Sequence, residues 1–494
     1  MTATDVLVPV SSATLDELAM RLPVPGYDRS RVSVGIVHVG VGGFHRTHQA
    51  VYVDEVLSAG VTDWGICGVG VLPGDRALHE ALAAQDLLYT VVLKHADGRV
   101  EPRVIGSIVE LLLAPDDPEA VIERMADPGT RIVSLTVTEG GYHLSPVTGE
   151  FDATDEGIVH DLVPGAVPVT AFGLITEALA RRRARGMAPF TVMSCDNIQG
   201  NGHVAQRMLC SFARLRDPGL GEWMEREVSF PNSMVDRITP VTADSDRRLL
   251  ADHAGVADRW PAVAEPFRQW VLEDRFPLGR PALEQVGVQL VDDVEPYELM
   301  KLRLLNASHQ ALCYLGYLSG YRYAHEVCTD PLFVDFLLGY MDEEGRPTLP
   351  PVPGIDLDDY TRTLIARFAN PQVRDTLARL CAFSSDRIPT WLLPVVNSQL
   401  RSGGAIGRSA LVVAAWARYA EGVDEQGQPI EVVDRLRDQL RAATVRQHED
   451  PTAFLADRRL FGDLIDDERF VAAYTTALTS LYERGARATL EALS

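Results

Sequence analysis

The chain has 494 residues, of which 46% are hydrophobic and 23% charged, so its composition is that of a globular protein and excludes a disordered or fibrous chain. Acidic residues outnumber Lys and Arg by 69 to 46, and the formal net charge of -23 argues against a nucleic-acid-binding protein. At about 150 residues per domain, this length predicts two or three domains.

Cysteine usage and hydropathy indicate the cellular compartment. Six cysteines are scattered without a C-x-x-C pair, which argues against a disulfide framework or a zinc ribbon and predicts a protein of the reducing cytoplasm. Residues 1–20 are polar and acidic, and no later stretch approaches the about 18 apolar residues of a membrane span. We therefore expect neither a signal peptide nor contact with a membrane.

Strand and helix patterns alternate along the first half of the chain. Helical patterns cover 47–57 and 170–185, and β-branched or apolar runs predict strands at 32–39, 64–69, 87–94, 131–138, 190–195 and 286–291. This alternation predicts an α/β fold with a parallel, doubly wound sheet. From about Tyr297 the patterns are helical, which predicts a second, mostly α-helical domain. Strand and helix patterns are mixed at 225–295, so the sequence does not define a sharp domain boundary there. We place the domains at 1–294 and 295–494.

A glycine-rich turn follows the first predicted strand. It reads Gly40-Val41-Gly42-Gly43-Phe44-His45 and has the first two glycines of the dinucleotide fingerprint, with His45 in place of the third. Because the turn links a strand to a helix whose free N–H groups can bind a pyrophosphate, it predicts a Rossmann-type cofactor site at Gly40, Gly42, Gly43 and Phe44. A glycine turn without a ligand is the alternative.

The end of the second strand bears on the choice of cofactor. In this kind of sheet an acidic residue at that position binds the ribose hydroxyls of NAD and repels a 2′-phosphate. Asp75 is the candidate, and the cation Arg76 beside it complicates the assignment.

Three histidines around the glycine turn raise the possibility of a metal site. His38, His45 and His48 are close in sequence, but no carboxylate or cysteine completes a tetrahedral set. We expect core or phosphate-adjacent residues here and no metal.

Polar residues also follow later strands. Ser194-Cys195-Asp196-Asn197 leaves a buried strand at its carboxyl end, where ligands bind in open α/β sheets. Asp196 or Asn197 could instead cap the next helix. Asp236, in Val235-Asp236-Arg237-Ile238, is a weaker site candidate.

The most informative segment is the helical pattern at 297–314. At roughly 100° per residue, Lys301, His309 and Asn306 lie near 0°, 80° and 140°, inside one arc of the helix. Leucines on nearly all sides predict burial, and a buried lysine loses proton affinity and can act as a general base. A structural ion pair between Lys301 and Glu298 is the alternative.

Lysine is rare in this chain. Only Lys94 and Lys301 occur among 46 cationic residues. Arginine stays protonated at any working pH, so it could not replace a lysine that acts as a base. The lysine retained at 301 therefore favours the catalytic interpretation.

Over nearly its whole length the chain resembles the polyol-specific long-chain dehydrogenase/reductase (mannitol dehydrogenase) family. The matching blocks are VGVGGFHRTHQA (39–50), DWGICGVG (63–70), RIVSLTVTEGGY (131–142), FTVMSCDNIQGNG (190–202), MVDRITP (234–240), QWVLED (269–274) and KLRLLNASHQALCYLG (301–316). The resemblance implies NAD-dependent, metal-independent oxidation of a polyol to a ketose, with mannitol and fructose as the expected pair, by a monomer.

The resemblance also implies roles for individual residues. Lys301 would be the general base, Asn197 and Asn306 would hold the reacting oxygen, and Glu298 would gate proton exchange with solvent. The residues expected to contact the substrate are His309, Asp236, Arg379 and Arg387. The family carries lysine where this chain has Arg387, and an acidic pair where it has Gly74-Asp75.

Other functions remain open at this stage. The same machinery would serve an arabinitol or sorbitol dehydrogenase or a hexuronate (fructuronate) reductase, for which Arg379 or Arg387 would supply the cation. A non-catalytic NAD-binding sensor is a more distant alternative, and the retained Lys301 argues against it.

Overall fold

In the computed structural model, which describes residues 7–144 and 149–493, the chain divides into two units, Met1–Glu295 and Pro296–Ser494. The start of the polar N-terminal segment, residues 1–6, lies outside the described residues. Across the part that is described, no helix combines the length and apolarity needed to cross a membrane.

The first unit contains the strands. They are β1 (Val8–Pro9), β2 (Val34–Val39), β3 (Gly65–Gly70), β4 (Tyr89–Lys94), β5 (Val100–Ile105), β6 (Ile108–Leu113), β7 (Ile132–Leu135), β8 (Thr191–Ser194), β9 (Ser233–Asp236), β10 (Val256–Ala257), β11 (Ala262–Ala264), β12 (Gln269–Glu273) and β13 (Gln289–Val291). Its helices are α1 (Leu15–Ala19), α2 (Gly43–Thr47), α3 (Gln49–Ser58), α4 (Arg76–Ala83), α5 (Pro118–Ala126), α6 (Glu156–Asp161), α7 (Ala171–Ala184), α8 (Asn201–Arg216), α9 (Pro218–Glu227) and α10 (Asp244–Ala254).

The main sheet of this unit has five strands in the order β6-β3-β2-β7-β8. Every neighbouring pair is parallel. The order reverses between β2 and β7, and in such sheets ligands bind outside the carboxyl ends of the strands at this point. The predicted Rossmann-type sheet is confirmed.

Both faces of this sheet are covered, which explains the nearly continuous apolar runs. Val37, Val39 and Val133 pack into one core, and the alternating residues Ile36 and Ile132 pack into another on the opposite face. Each fully buried aliphatic side chain of this kind stabilises the fold by about 1.5–3 kcal/mol. Burial on both faces is the property of parallel sheets that the sequence pattern reflects.

One strand prediction needs a correction. The run at 87–94 does form β4, but β4 lies outside the main sheet, between β11 and the antiparallel strand β5. The edge of the main sheet is instead β6, an apolar run that sequence analysis missed. Strand content is encoded locally, whereas the choice of partner depends on contacts distant in the chain.

The second unit is helical, as predicted. Its helices are α11 (Glu295–Met300), α12 (Ala307–Leu318), α13 (Ala324–Val327), α14 (Pro331–Gly339), α15 (Leu357–Phe368), α16 (Leu377–Cys381), α17 (Ser384–Arg387), α18 (Leu393–Ser402), α19 (Gly407–Ala420), α20 (Arg437–Arg446), α21 (Arg458–Phe461) and α22 (Glu468–Glu491). Among its described residues, 296–493, three segments are wound as π-helix, with i→i+5 hydrogen bonds: Lys301–Asn306, Tyr340–Gly345 and Ile388–Leu392.

Candidate active site

The glycine turn lies at the reversal point of the sheet. Gly40 has φ +95, and a Cβ on it would lie 2.2 Å from the carbonyl oxygen of Thr136 at the end of β7, so only glycine fits. A Cβ on Gly42 would meet no atom within 4 Å. The turn thus leaves open space at the position where the fingerprint brings a pyrophosphate close to the backbone, and it fits a dinucleotide.

His45 performs the packing that the missing third glycine normally provides. Its ring stacks on His38 of β2 with centroids 3.4 Å apart, and its Nδ1 lies 3.1 Å from Oε1 of Gln49. Burial lowers the pKa of His38 to about 3 and also lowers that of His45. The stacked pair is therefore uncharged, and it joins α2 to β2 by ring packing and not by an ionic interaction.

The three histidines have protein partners. His38 contacts Ser134 Oγ at 2.8 Å and Thr136 Oγ1 at 2.9 Å, and His48 Nε2 lies 2.9 Å from the carbonyl of Gln269. Within 7–144 and 149–493, no group of three or more His, Cys, Asp or Glu side chains is arranged to hold a metal ion. Phe44 stacks on His48 at 4.8 Å, which places its ring beside the turn.

Asp75 lies just beyond the end of β3. Its Oδ2 accepts hydrogen bonds from the backbone N–H groups of Val71 and Leu72, each at 2.9 Å. Arg76 forms a bidentate pair with Asp116 at 2.9 and 2.5 Å. The cation that complicated the sequence assignment is therefore already neutralised by a carboxylate.

Asp196 organises the loops beyond β7 and β8. Its carboxylate accepts from the N–H groups of Val137 at 3.1 Å and Thr138 at 2.8 Å, and from the Tyr142 hydroxyl at 2.8 Å. Thr138 has φ +62, a strained conformation that these bonds stabilise. The capping alternative is wrong, because α8 begins after Gly200 and neither Asp196 nor Asn197 caps it.

The other two polar candidates of the first unit differ in exposure. Asn197 is exposed directly after Asp196. Asp236 is the last residue of β9, is paired in register with Gln269 of β12, and is only 4% exposed. Asp236 thus ends a strand, whereas Asn197 lies in the loop three residues beyond the end of β8.

The helix with Lys301 differs from the prediction in its winding. Lys301–Asn306 is a π-turn between α11 and α12, and the Ala307 N–H donates to the carbonyl of Leu302, five residues earlier. A π-turn advances by about 82° per residue and the α-helix that follows by about 100°, so Asn306 lies about 50° and His309 about 10° from Lys301 around the axis. The extra residue brings these side chains into a narrower arc than the α-helical prediction of about 140°.

This segment is buried. Glu298 is 6%, Lys301 9% and Asn306 4% exposed. The other retained lysine, Lys94, has a structural partner: its Nζ lies 2.5 Å from Asp246 Oδ1. Retention of a lysine therefore does not by itself indicate a catalytic role. For Lys301, that role is inferred from its position in the buried helical segment.

His309 lies among charged residues of the second unit. Burial, opposed by Asp375 and assisted by Arg379, Arg367 and Arg387, lowers its pKa to about 3. Its ring packs 4.5 Å from that of Phe368. His309 is therefore a neutral hydrogen-bonding group at any working pH.

The two predicted arginines are both held in place. Arg379 pairs with Asp375, with Nε to Oδ1 at 2.6 Å, and Arg387 donates to the carbonyls of Arg379 and Leu380, each at 3.0 Å. Asp375 was not among the candidates predicted from the sequence, although its spacing of four residues before Arg379 is a signal for such a pair.

Comparisons with known proteins give one family. Residues 34–285 match the Mannitol dehydrogenase Rossmann domain, and residues 293–482 match the Mannitol dehydrogenase C-terminal domain. A mannitol 2-dehydrogenase of Aspergillus fumigatus is 49% identical over 475 residues, which cover 94% of each chain.

Solved structures agree with this result. Pseudomonas fluorescens mannitol 2-dehydrogenase, in a ternary complex with NAD and D-mannitol, gives a TM-score of 0.89 at 46% identity and covers 98% of this chain and 99% of its own. A D-sorbitol dehydrogenase in substrate-free form gives a TM-score of 0.89 at 36% identity, covering 97% and 100%. The chain belongs to the mannitol dehydrogenase family of oxidoreductases.

Proposed function

We propose that this NAD-dependent polyol dehydrogenase oxidises D-mannitol to D-fructose and catalyses the reverse reduction. The observation that carries the proposal is the buried π-turn of the second unit, which places an amine, an amide and a neutral imidazole within one arc. The mannitol complex of the Pseudomonas fluorescens relative supports the choice of polyol.

The roles follow from what each group can do. Lys301 Nζ accepts the hydroxyl proton, which requires a neutral amine. Asn197 and Asn306 donate amide N–H groups to the oxygen as negative charge develops on it. When bound, NAD⁺ accepts the hydride from the carbinol carbon. The amine and the two amides supply the base and the oxyanion donors, so the scheme is independent of a metal.

Substrate contacts are assigned to the remaining residues. His309, neutral because burial lowers its pKa to about 3, exchanges hydrogen bonds with substrate hydroxyls. Asp236 accepts hydrogen bonds from hydroxyls, and Glu298 passes the proton from Lys301 towards solvent. Gly40, Gly42, Gly43 and Phe44 are assigned to the nucleotide.

An uncharged polyol fits the charges better than a hexuronate. Recognition of a carboxylate needs an available guanidinium fork. Asp375 occupies the fork of Arg379 at 2.6 and 2.5 Å. A uronate would have to compete with this built-in carboxylate, whereas sugar hydroxyls can add to the pair without breaking it.

A substrate panel tests the proposal. With NAD⁺ at alkaline pH, we expect mannitol or arabinitol to give a higher kcat/KM than sorbitol or xylitol, and the same rates after dialysis against a chelator. Activity confined to uronates or phosphorylated sugars would contradict the proposal. Nucleotide binding without turnover of any substrate would indicate a sensor.

The preference for NAD over NADP is assigned to Asp75. Its carboxylate repels a 2′-phosphate, and Arg76 is held by Asp116 at 2.9 and 2.5 Å. We expect kcat/KM with NAD to exceed that with NADP by about tenfold or more, equivalent to about 1.4 kcal/mol. Asp75→Ala should reduce this ratio. Arg76→Ala is the control and should leave it unchanged; an unchanged ratio in Asp75→Ala would remove Asp75 as the selector.

Three broader features belong to the same proposal. We place the functional domains at 1–294 and 295–494 and expect a monomer in solution. The cysteines Cys67, Cys195, Cys210, Cys313, Cys328 and Cys381 are buried free thiols, which suits a reducing cytoplasm.

A further inference from the structure

Two π-turns of the helical unit pack against each other. The hydroxyl of Tyr340, at the start of the π-turn Tyr340–Gly345, donates a 2.9 Å hydrogen bond to the carbonyl of Arg303, in the middle of the π-turn Lys301–Asn306. At the other end of the second π-turn, a Cβ on Gly345 would lie 2.8 Å from Leu304 Cδ2 and 3.4 Å from the same carbonyl oxygen. The second turn therefore lies directly on the first.

The Tyr340 hydroxyl replaces a donor that the π-turn withdraws. In an α-helix the Ala307 N–H would bond the Arg303 carbonyl, four residues earlier. Here that N–H bonds the Leu302 carbonyl instead. Tyr340 is 0% exposed, so its hydroxyl is a fixed donor to the carbonyl from which the Ala307 N–H is withdrawn.

The second π-turn is itself anchored. Glu344, 1% exposed, accepts hydrogen bonds from the N–H groups of Arg408 at 2.7 Å and Ser409 at 2.8 Å, at the start of α19. Gln399 Nε2 donates to the carbonyl of Glu344 at 2.6 Å. These bonds fix the backbone that presents Tyr340.

We infer that Tyr340 is a positioning residue for the reaction, because its hydroxyl holds the Lys301–Asn306 segment in the π-helical register. The inference rests on the proposed function of Lys301. Without the hydroxyl, return to α-helical bonding becomes more favourable, and it would rotate Asn306 and His309 by about 90° relative to Lys301. The base and its partners would then be spread over about 140° of the helix instead of about 60°.

The test is a double-mutant cycle on kcat in mannitol oxidation. When the assay is run well below the melting temperature of the variant, Tyr340→Phe should lower kcat at least about tenfold and leave the nucleotide Kd unchanged. Tyr474→Phe is the matched control, since Tyr474 is also 0% exposed and its hydroxyl has no hydrogen-bond partner among the described residues. Its kcat should stay within about twofold of wild type.

Measuring Tyr340→Phe in the Lys301→Ala background distinguishes a role of Tyr340 in positioning Lys301 from a role in stabilising the fold. If Tyr340 acts by placing Lys301, Tyr340→Phe should cause less than about a twofold further loss in Lys301→Ala. An equal loss in both backgrounds, or a kcat for Tyr340→Phe matching that of Tyr474→Phe, overturns the inference. Near-normal activity of Lys301→Ala alone overturns the proposed function and this inference together.

A second variant covers the case in which Tyr340→Phe does not fold. Gly345→Ala keeps the hydroxyl but presses a methyl group against buried Leu304 of the first π-turn. It should lower kcat in the wild-type background and not in Lys301→Ala, with unchanged nucleotide Kd. Equal effects in both backgrounds, or no effect in either, then decide against the inference.

Discussion

Lys301→Ala is expected to lower kcat by about 10² to 10⁴ or more, because the hydroxyl proton loses its positioned acceptor. Nucleotide binding should persist, since the glycine turn after β2 is untouched. Steady-state kinetics with mannitol and NAD⁺, together with a fluorescence titration of nucleotide, measure the two effects separately.

Lys301→Arg distinguishes a base from a structural cation. Arginine keeps the charge but stays protonated at any pH the enzyme tolerates, so we expect it to be nearly as inactive as alanine and to lack the rise of kcat/KM with pH that wild type should show. An active Lys301→Arg enzyme with the wild-type pH profile would refute the general-base assignment.

Lys94→Arg is the matched control. Lys94 is the other lysine of the chain, and its 2.5 Å ion pair with Asp246 is a contact that arginine can also make. We expect its kcat to stay within about twofold of wild type. A comparable loss at both positions would mean that the effect of arginine at 301 does not report on proton transfer.

Gly40→Ala should have the second-largest effect. The backbone at φ +95 is strained for alanine, and the new Cβ would lie 2.2 Å from the Thr136 carbonyl oxygen, so β2 and β7 would have to separate at their carboxyl ends. We expect a loss of stability of about 3 kcal/mol or more and a rise in nucleotide Kd of about 10²-fold or more. Thermal unfolding and nucleotide titration check both values.

Gly42→Ala is the companion variant, because a Cβ there meets no protein atom within 4 Å. Stability should change by less than about 0.5 kcal/mol, while the methyl group should raise the nucleotide Kd about tenfold or more. If Gly42→Ala binds nucleotide normally, the open space beside Gly42 is not the pyrophosphate site.

The elements of this protein that depend on short-range periodicity could be predicted from its residues alone. Buried strands read as apolar runs, so β2, β3, β7 and β8 could be identified, and their alternation with helices implied the parallel sheet. Residues in the loops that follow strand ends, such as Gly40 and Asp75, could be named because a parallel sheet gathers its carboxyl ends at one edge.

Features that depend on partners distant in the chain could not be predicted in this way. The pairing of β4 with β5 and β11, the stack of His45 on His38, and the neutralisation of Arg76 by Asp116 have no local signal. The winding at Lys301 is the most consequential case. A period of about 3.6 residues assumes that each carbonyl bonds within its own helix, and here the Arg303 carbonyl bonds Tyr340, 37 residues away along the chain.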